Sequence, residues 1–221
     1  MRDLYVYGAG GHGKVVADLL VAAGRERLSG FIDDGMPPGS LVLGHPVHGP
    51  WAWLASRAAH GPVGIALGIG DNEVRARIAR TLAGIGVEVI TVVHPRATVA
   101  PSAALGRGTV IMAGAVVNAD ARIGEGAIIN TGAVVEHDVV VGAYAHVSSG
   151  AALGGGSELG AYAHLGLGGV LLPGVRVGAS AIIGAGAVVT RNIPDHVIAV
   201  GVPARVMRSI GADMSPSARG L

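Results

Sequence analysis

From Ala97 onward an aliphatic residue recurs at every sixth position, from Val99, Leu105 and Ile111 through to Ile183 and Val189, sixteen times without a skip. Eleven of these sixteen hexads open with Ala and eight carry Gly at the fourth position, so each reads as a short strand followed by a tight corner. Six fits neither the 3.6-residue period of a helix nor the two-residue period of a flat strand. It fits a left-handed parallel β-helix in which three hexads make a coil of eighteen residues. Residues eighteen apart then become neighbours, about 4.8 Å from coil to coil.

The first ninety or so residues follow a different rhythm. Residues 3–7 are strand-like, 8–13 are dense in glycine and 14–23 are helical in pattern. A second strand ends at Phe31-Ile32, and 35–50 reads as a loop holding one short strand at 41–43. Helices are expected over 51–59 and 72–83, with strands over 63–69 and 87–93. This alternation predicts a small Rossmann-like parallel α/β domain over residues 1–93, with some four strands. The β-helix is expected over 97–193. Residues 194–221 leave the register and form a C-terminal cap, with a mobile tail from Gly211.

A net charge of +1 gives no electrostatic case for nucleic acid or a membrane surface. There is no apolar run of transmembrane length and no signal-peptide pattern, so the expected compartment is the cytoplasm. With no cysteine, thiolate catalysis and zinc-thiolate sites are excluded. One Phe and two Trp mean that the core is aliphatic.

Gly8-Ala9-Gly10-Gly11-His12-Gly13 satisfies the G-x-G-x-x-G pattern between a strand and a helix, and Asp33-Asp34 follow about twenty residues later. Backbone amides at such a turn can cradle a phosphate, and a carboxylate can accept from ribose hydroxyls. Half a doubly wound sheet suits a phosphorylated mononucleotide or nucleotide-sugar better than a dinucleotide. Gly70 ends the third strand and should share that cleft, with Asp71 as cap of the next helix.

The hexad from Ala133 to Asp138 is anomalous, because Glu136 is the one charged residue at a fourth position. Beside it stand His137 and Asp138, and the equivalent corner one coil on is Gly154-Gly155-Gly156, which predicts open space next to the imidazole. A histidine with an adjoining carboxylate is what a general base needs. Spacing alone does not choose between Glu136 and Asp138 as its partner. His146 and His164 are eighteen apart and should stack on a different side of the prism from His137. They could meet that corner only between neighbouring chains.

These motifs, with Ile69-Gly70-Asp71-Asn72, Asn130-Thr131 and Gly201-Val202-Pro203-Ala204, resemble the sialic acid O-acetyltransferase-like family of bacterial hexapeptide-repeat sugar acetyltransferases. The likeness is strongest to members that N-acetylate UDP- or GDP-linked 4-amino sugars. It implies acetyl-CoA as co-substrate, His137 as general base and Asp138 as the carboxylate that raises its basicity. It implies His146, Leu167 and Gly168 on acetyl-CoA, with Ala9, Gly10, Gly11, Asp33, Asp34 and Gly70 on the nucleotide-sugar. Direct acetyl transfer is expected, since no cysteine can carry an acyl group. β-Helix zinc enzymes resemble one another in an H-x4-H pair that is missing here, so no metal is expected. A flat-sided prism with exposed aliphatics predicts a homotrimer, and the resemblance implies active sites between its subunits. The alternatives are O-acetylation of a sugar such as sialic acid, or a non-enzymatic trimeric binding protein.

Overall fold

The computed structural model describes residues 3–24 and 27–211. The tail expected to be mobile lies, from residue 212, outside the described residues. Contacts divide the chain into two units, Met1–Pro95 and Arg96–Leu221.

The first unit is a six-stranded sheet of order β3-β4-β2-β1-β5-β6. Its strands are β1 (Asp3–Tyr7), β2 (Leu28–Ile32), β3 (Leu41–Val42), β4 (His45–Gly49), β5 (Val63–Leu67) and β6 (Glu88–Val89), with helices α1 (Gly11–Ala23), α2 (Trp51–Ala58) and α3 (Asn72–Gly84). The expected loop over 35–50 is wrong in its second half. β4 pairs antiparallel with β3 and parallel with β2, setting Val47 opposite Phe31. Its sequence, His-Pro-Val-His-Gly, is poor in strand formers, and lateral pairing overrides that propensity. The single strand expected over 87–93 is also two. The run breaks after Val89, where Ile90 donates to the Ile65 carbonyl (2.9 Å), and resumes at Val92–Val93.

From β1 the sheet grows one way through β2 and the other through β5, so the loops after β1 and β5 meet at a topological switch point. The approach there is too close for side chains. A Cβ on Gly13 would lie 1.9 Å from the Gly8 carbonyl oxygen, and one on Gly68 would lie 2.7 Å from the Gly13 Cα. These glycines let α1 close onto the sheet. A Cβ on Gly10 or Gly11 would meet nothing within 4 Å, so those two face open space.

The second unit is the parallel β-helix. Its first face stacks Val110–Ile111, Ile128–Ile129, His146–Val147, His164–Leu165 and Ile182–Ile183. The second runs from Thr98–Val99 through Val116–Val117, Val134–Val135, Ala152–Leu153 and Val170–Leu171 to Val188–Val189. The third runs from Ala104–Leu105 to Arg176–Val177. Each strand pairs with the residues eighteen on, as Val134 does with Ala152. The aliphatic third positions from Ile111 to Val189 all point into the prism and are buried. At the C-terminal end Val197–Val200 and Arg205–Ser209 pair antiparallel, and Ile182, Ile198 and Ile210 close the core.

Candidate active site

The corner between the second and third faces carries Glu136, His137 and Asp138. Asp138 holds a left-handed backbone (φ 58°), a conformation that Asp tolerates better than most side chains, and this folds its carboxylate back toward the preceding ring. Its Oδ2 lies 2.8 Å from His137 Nδ1. That bond raises the His137 pKa above the ordinary imidazole value against an opposing desolvation, helped by the negative charge of Asp138 and then of Glu136. With Nδ1–H committed to Asp138, the neutral ring leaves Nε2 as a lone-pair acceptor. Both side chains are 65% exposed, so the pair is open to a substrate. Glu136 instead accepts from Asn118 Nδ2 at 2.9 Å, one coil below.

The space expected beside His137 is occupied by the ring itself. A Cβ on Gly155 would sit 2.5 Å from His137 Nε2 and 2.7 Å from Cε1, so the imidazole lies across the glycine corner of the next coil. The bare corner is a seat for the base.

On the first face His146 and His164 stack with ring centroids 4.7 Å apart and planes 19° from parallel. His146 is buried. Asn130 Oδ1 accepts the Thr131 N–H (2.8 Å), which turns its amide so that Nδ2 donates to His146 Nε2 (3.1 Å). The His146 proton is therefore on Nδ1. Ser148 Oγ lies 2.8 Å from His164 Nε2 in the same pattern. Leu167 and Gly168 occupy the corner after His164–Leu165, where Leu167 is 61% exposed. His137 and the His146 face thus stand on different sides of one prism.

In the first unit a cleft of about 370 Å³ is lined by Tyr7, Gly8, Asp33, Asp34, Trp51 and Arg77, among others. Both aspartates spend their oxygens on the protein. Asp33 Oδ2 accepts from Ala9 N (2.8 Å) and its Oδ1 from Gly35 N and Met36 N (both 2.9 Å). Asp34 accepts from the Tyr7 hydroxyl (2.7 Å) and from Trp51 N at the start of α2 (2.9 Å). Asp71 caps α3 by accepting from Val74 N (2.9 Å). Gly70 offers its carbonyl to the fully buried Arg75 (3.0 Å), which also holds Ile69 O and Asn72 Oδ1. Desolvation, then the charge of Arg75, lowers the His12 pKa to about 4, so this half-buried ring is neutral at pH 7. Ala9, Gly10, Gly11 and Gly70 flank the cleft residues in sequence but do not line this cavity. Sequence reasoning missed Trp51, Arg77, Ile78 and Thr81. The signal was available in part, because Val74, Arg77, Ile78 and Thr81 share one face of α3 by their three- and four-residue spacing.

Among the described residues no group of three or more His, Asp or Glu is arranged to hold a metal ion, and no helix is long and apolar enough to cross a membrane. Residues 3–82 match the PglD N-terminal domain family. A stretch of 114 residues is 42% identical to a UDP-N-acetylbacillosamine N-acetyltransferase of Bacillus subtilis (strain 168), covering 51% of this chain and 52% of that protein. The match thus spans about half the length of that relative. A histidine-to-asparagine variant of perosamine N-acetyltransferase from Caulobacter crescentus, bound to CoA and GDP-perosamine, superposes with a TM-score of 0.91 at 42% identity over 95% of this chain and 98% of that one. The acetyltransferase domain of PglB from Neisseria gonorrhoeae FA1090, in complex with acetyl coenzyme A, gives a TM-score of 0.87 at 38% identity over 93% and 99%.

Proposed function

The chain belongs to the hexapeptide-repeat sugar acetyltransferases with a PglD-type N-terminal domain, and from that premise we propose that it moves acetyl from acetyl-CoA to the 4-amino group of a UDP- or GDP-linked amino sugar. In this reading the α/β unit holds the nucleotide-sugar and the β-helix carries acetyl-CoA and the chemistry. His137 is the general base, and the observation that carries its assignment is the exposed imidazole tied at Nδ1 to Asp138 (2.8 Å) and seated across Gly155.

An alkylammonium has no lone pair. It must first release one proton to solvent by way of the His137 imidazole; Nε2 then takes a second proton from the amine nitrogen as that nitrogen attacks the thioester carbonyl carbon. Backbone N–H donors of the coils stabilise the oxyanion of the tetrahedral intermediate. The C–S bond then breaks, and the departing thiolate is protonated by the His137 imidazolium. His146, neutral with its acceptor nitrogen engaged by Asn130, is suited to binding the acetyl-CoA thioester end beside Leu167 and Gly168 and not to attacking it.

Because His137 and His146 lie on different sides of one prism, the reading calls for a homotrimer in which His137 of one subunit works with the His146 face of its neighbour. Asp33 supports the glycine loop through Ala9 N and Asp34 ties Tyr7 to the start of α2, while Trp51 and Arg77 line the cleft offered to the nucleotide-sugar, with Gly10, Gly11 and Gly70 flanking its lining residues in sequence. The reaction is cytoplasmic in this reading, the compartment that supplies acetyl-CoA.

The test is thiol release from acetyl-CoA against GDP- and UDP-linked 4-amino sugars, with their 4-hydroxyl counterparts as controls. Turnover confined to the amines is expected. Thiol release with the hydroxyl sugars alone would overturn N-acetylation in favour of O-acetylation, and release with none would overturn the enzymatic reading.

A further inference from the structure

Resting on the acetyltransferase reading, we propose that Glu136 selects an amine over a hydroxyl as acceptor, its carboxylate receiving the sugar nitrogen as an ammonium ion beside His137. The corner's sequence makes Glu136 an exception, since the other fifteen hexads place no charge at the fourth position. Its geometry is specific. Asn118 Nδ2, eighteen residues earlier on the same corner, holds Oε2 at 2.9 Å, which fixes the carboxylate along the prism axis without neutralising it. No Lys or Arg forms an ion pair with it among the described residues, and it is half-buried. Asp138 is engaged on the Nδ1 side of the ring, so the two carboxylates divide the work. Asp138 orients the base, and Glu136 leaves Oε1 as a charged acceptor on the same corner.

A primary amine on a sugar reaches the site largely as R–NH3⁺. A carboxylate on this corner attracts that ion and has no comparable attraction for R–OH. The proton balance follows. The nitrogen loses two protons in becoming an amide. One passes through His137 to the leaving thiolate. The other leaves to solvent through the same imidazole, whose 65% exposure leaves that route open. Glu136 keeps no proton. It accepts a hydrogen bond from the nitrogen while charge is present there, and the neutral amide product loses that hold. Its main contribution is therefore to acceptor binding, with only a minor one to the basicity of His137.

The experiment compares wild type with Glu136→Gln, which keeps the shape and the Asn118 contact and removes the charge. The acceptor is whichever of GDP-perosamine and a UDP-linked 4-amino sugar the wild type acetylates, and the 4-hydroxyl counterpart serves as competitive inhibitor. In Glu136→Gln the KM for the amine rises about 10-fold or more, on the scale of a lost charge-assisted hydrogen bond. The kcat falls far less than the amine KM rises, since Glu136 is the smallest of the influences that raise the His137 pKa, and the KM for acetyl-CoA and the inhibition constant of the hydroxyl sugar hold. Asn118→Ala, which frees the carboxylate, raises the amine KM less. Equal weakening of the amine and hydroxyl sugars, or a fall in kcat with unchanged KM, overturns the proposal, the first by making Glu136 merely structural and the second by making it a partner of His137. Wild-type failure on every amino sugar removes the acetyltransferase reading and this inference with it, whereas wild-type turnover with an unaffected variant removes the inference alone.

Discussion

His137 can act as a base only while Nε2 is unprotonated, aimed and reachable, and each condition is set by one neighbour. Asp138 fixes the tautomer and also raises the pKa, so the protonated, inactive form persists to higher pH than in a free imidazole. Removing that charge in Asp138→Asn lowers the pKa. The acid limb of kcat/KM against pH then moves to lower pH, while the plateau falls roughly 10²-fold because the base is weaker and free to take the wrong tautomer. An unmoved limb would sink the role given to Asp138. Replacing the base itself, His137→Ala, should lower kcat by about 10²–10⁴-fold with the KM for acetyl-CoA little changed. Gly155→Ala is the finer probe. The three atoms nearest its added Cβ all belong to the His137 ring, so the backbone accepts the change and the imidazole must move. A misplacement on the order of 1 Å costs about 10²-fold in rate, with the thermal midpoint unaltered. Wild-type kcat in Gly155→Ala would show that the seat does not position the base.

At the scale of elements, the turn that leads from β5 into α3 is held from beneath by Arg75, and His12 at the start of α1 is neutral beside it. The folded-state pKa of about 4 is lower than the ordinary 6.5, so the unfolded chain takes up the proton first as the pH falls. This residue's contribution to stability is therefore intact above pH 6.5 and is lost progressively as the pH drops through 6.5 toward 4. His12→Gln should flatten that loss, narrowing the drop in melting temperature across the interval by several degrees. A drop as steep as in wild type would place the titration elsewhere. The legibility of these elements from sequence had a physical pattern. The hexads were readable because every coil repeats the same burial, and the stack of His146 on His164 followed from counting eighteen. β4 was not readable, because its pairing with β2 is a long-range contact that leaves no local periodicity. Nor was the seating of His137 on Gly155, since the absence of a side chain says nothing of which neighbour fills the space. Asp33 and Asp34 were found by spacing, while their hydrogen bonds to Ala9, Gly35, Met36 and Trp51 depend on loop geometry that spacing does not encode.

For the whole molecule, the faces of the prism differ in what they offer to water. The third carries Arg122, the Glu158–Arg176 pair (3.6 Å) and, at its edge, the Arg107–Glu125 pair (3.1 Å), exposed and stable in solvent. The second presents Val116, Val134, Ala152, Val170 and Val188 in line, each half-buried, with no charge among them. An unbroken aliphatic stripe along a rigid face is a surface that self-association removes from water, and closure about a threefold axis satisfies every copy alike. That closure would also bring the His137 corner of one copy to the His146 face of another, so assembly and activity should fail together. Val170→Glu tests this at a position remote in sequence from His137. Three carboxylates buried about one axis repel one another and lose their hydration, while on an isolated prism the same residue is solvated and leaves the coil intact. Sedimentation should then report the mass of one chain with cooperative unfolding retained, and thiol release should fall by at least about 10²-fold, the scale on which a positioned partner is lost. A variant that sediments as a single chain yet turns over at the wild-type rate would show that each chain carries a complete site, and the division of labour between His137 and His146 across subunits would have to be abandoned.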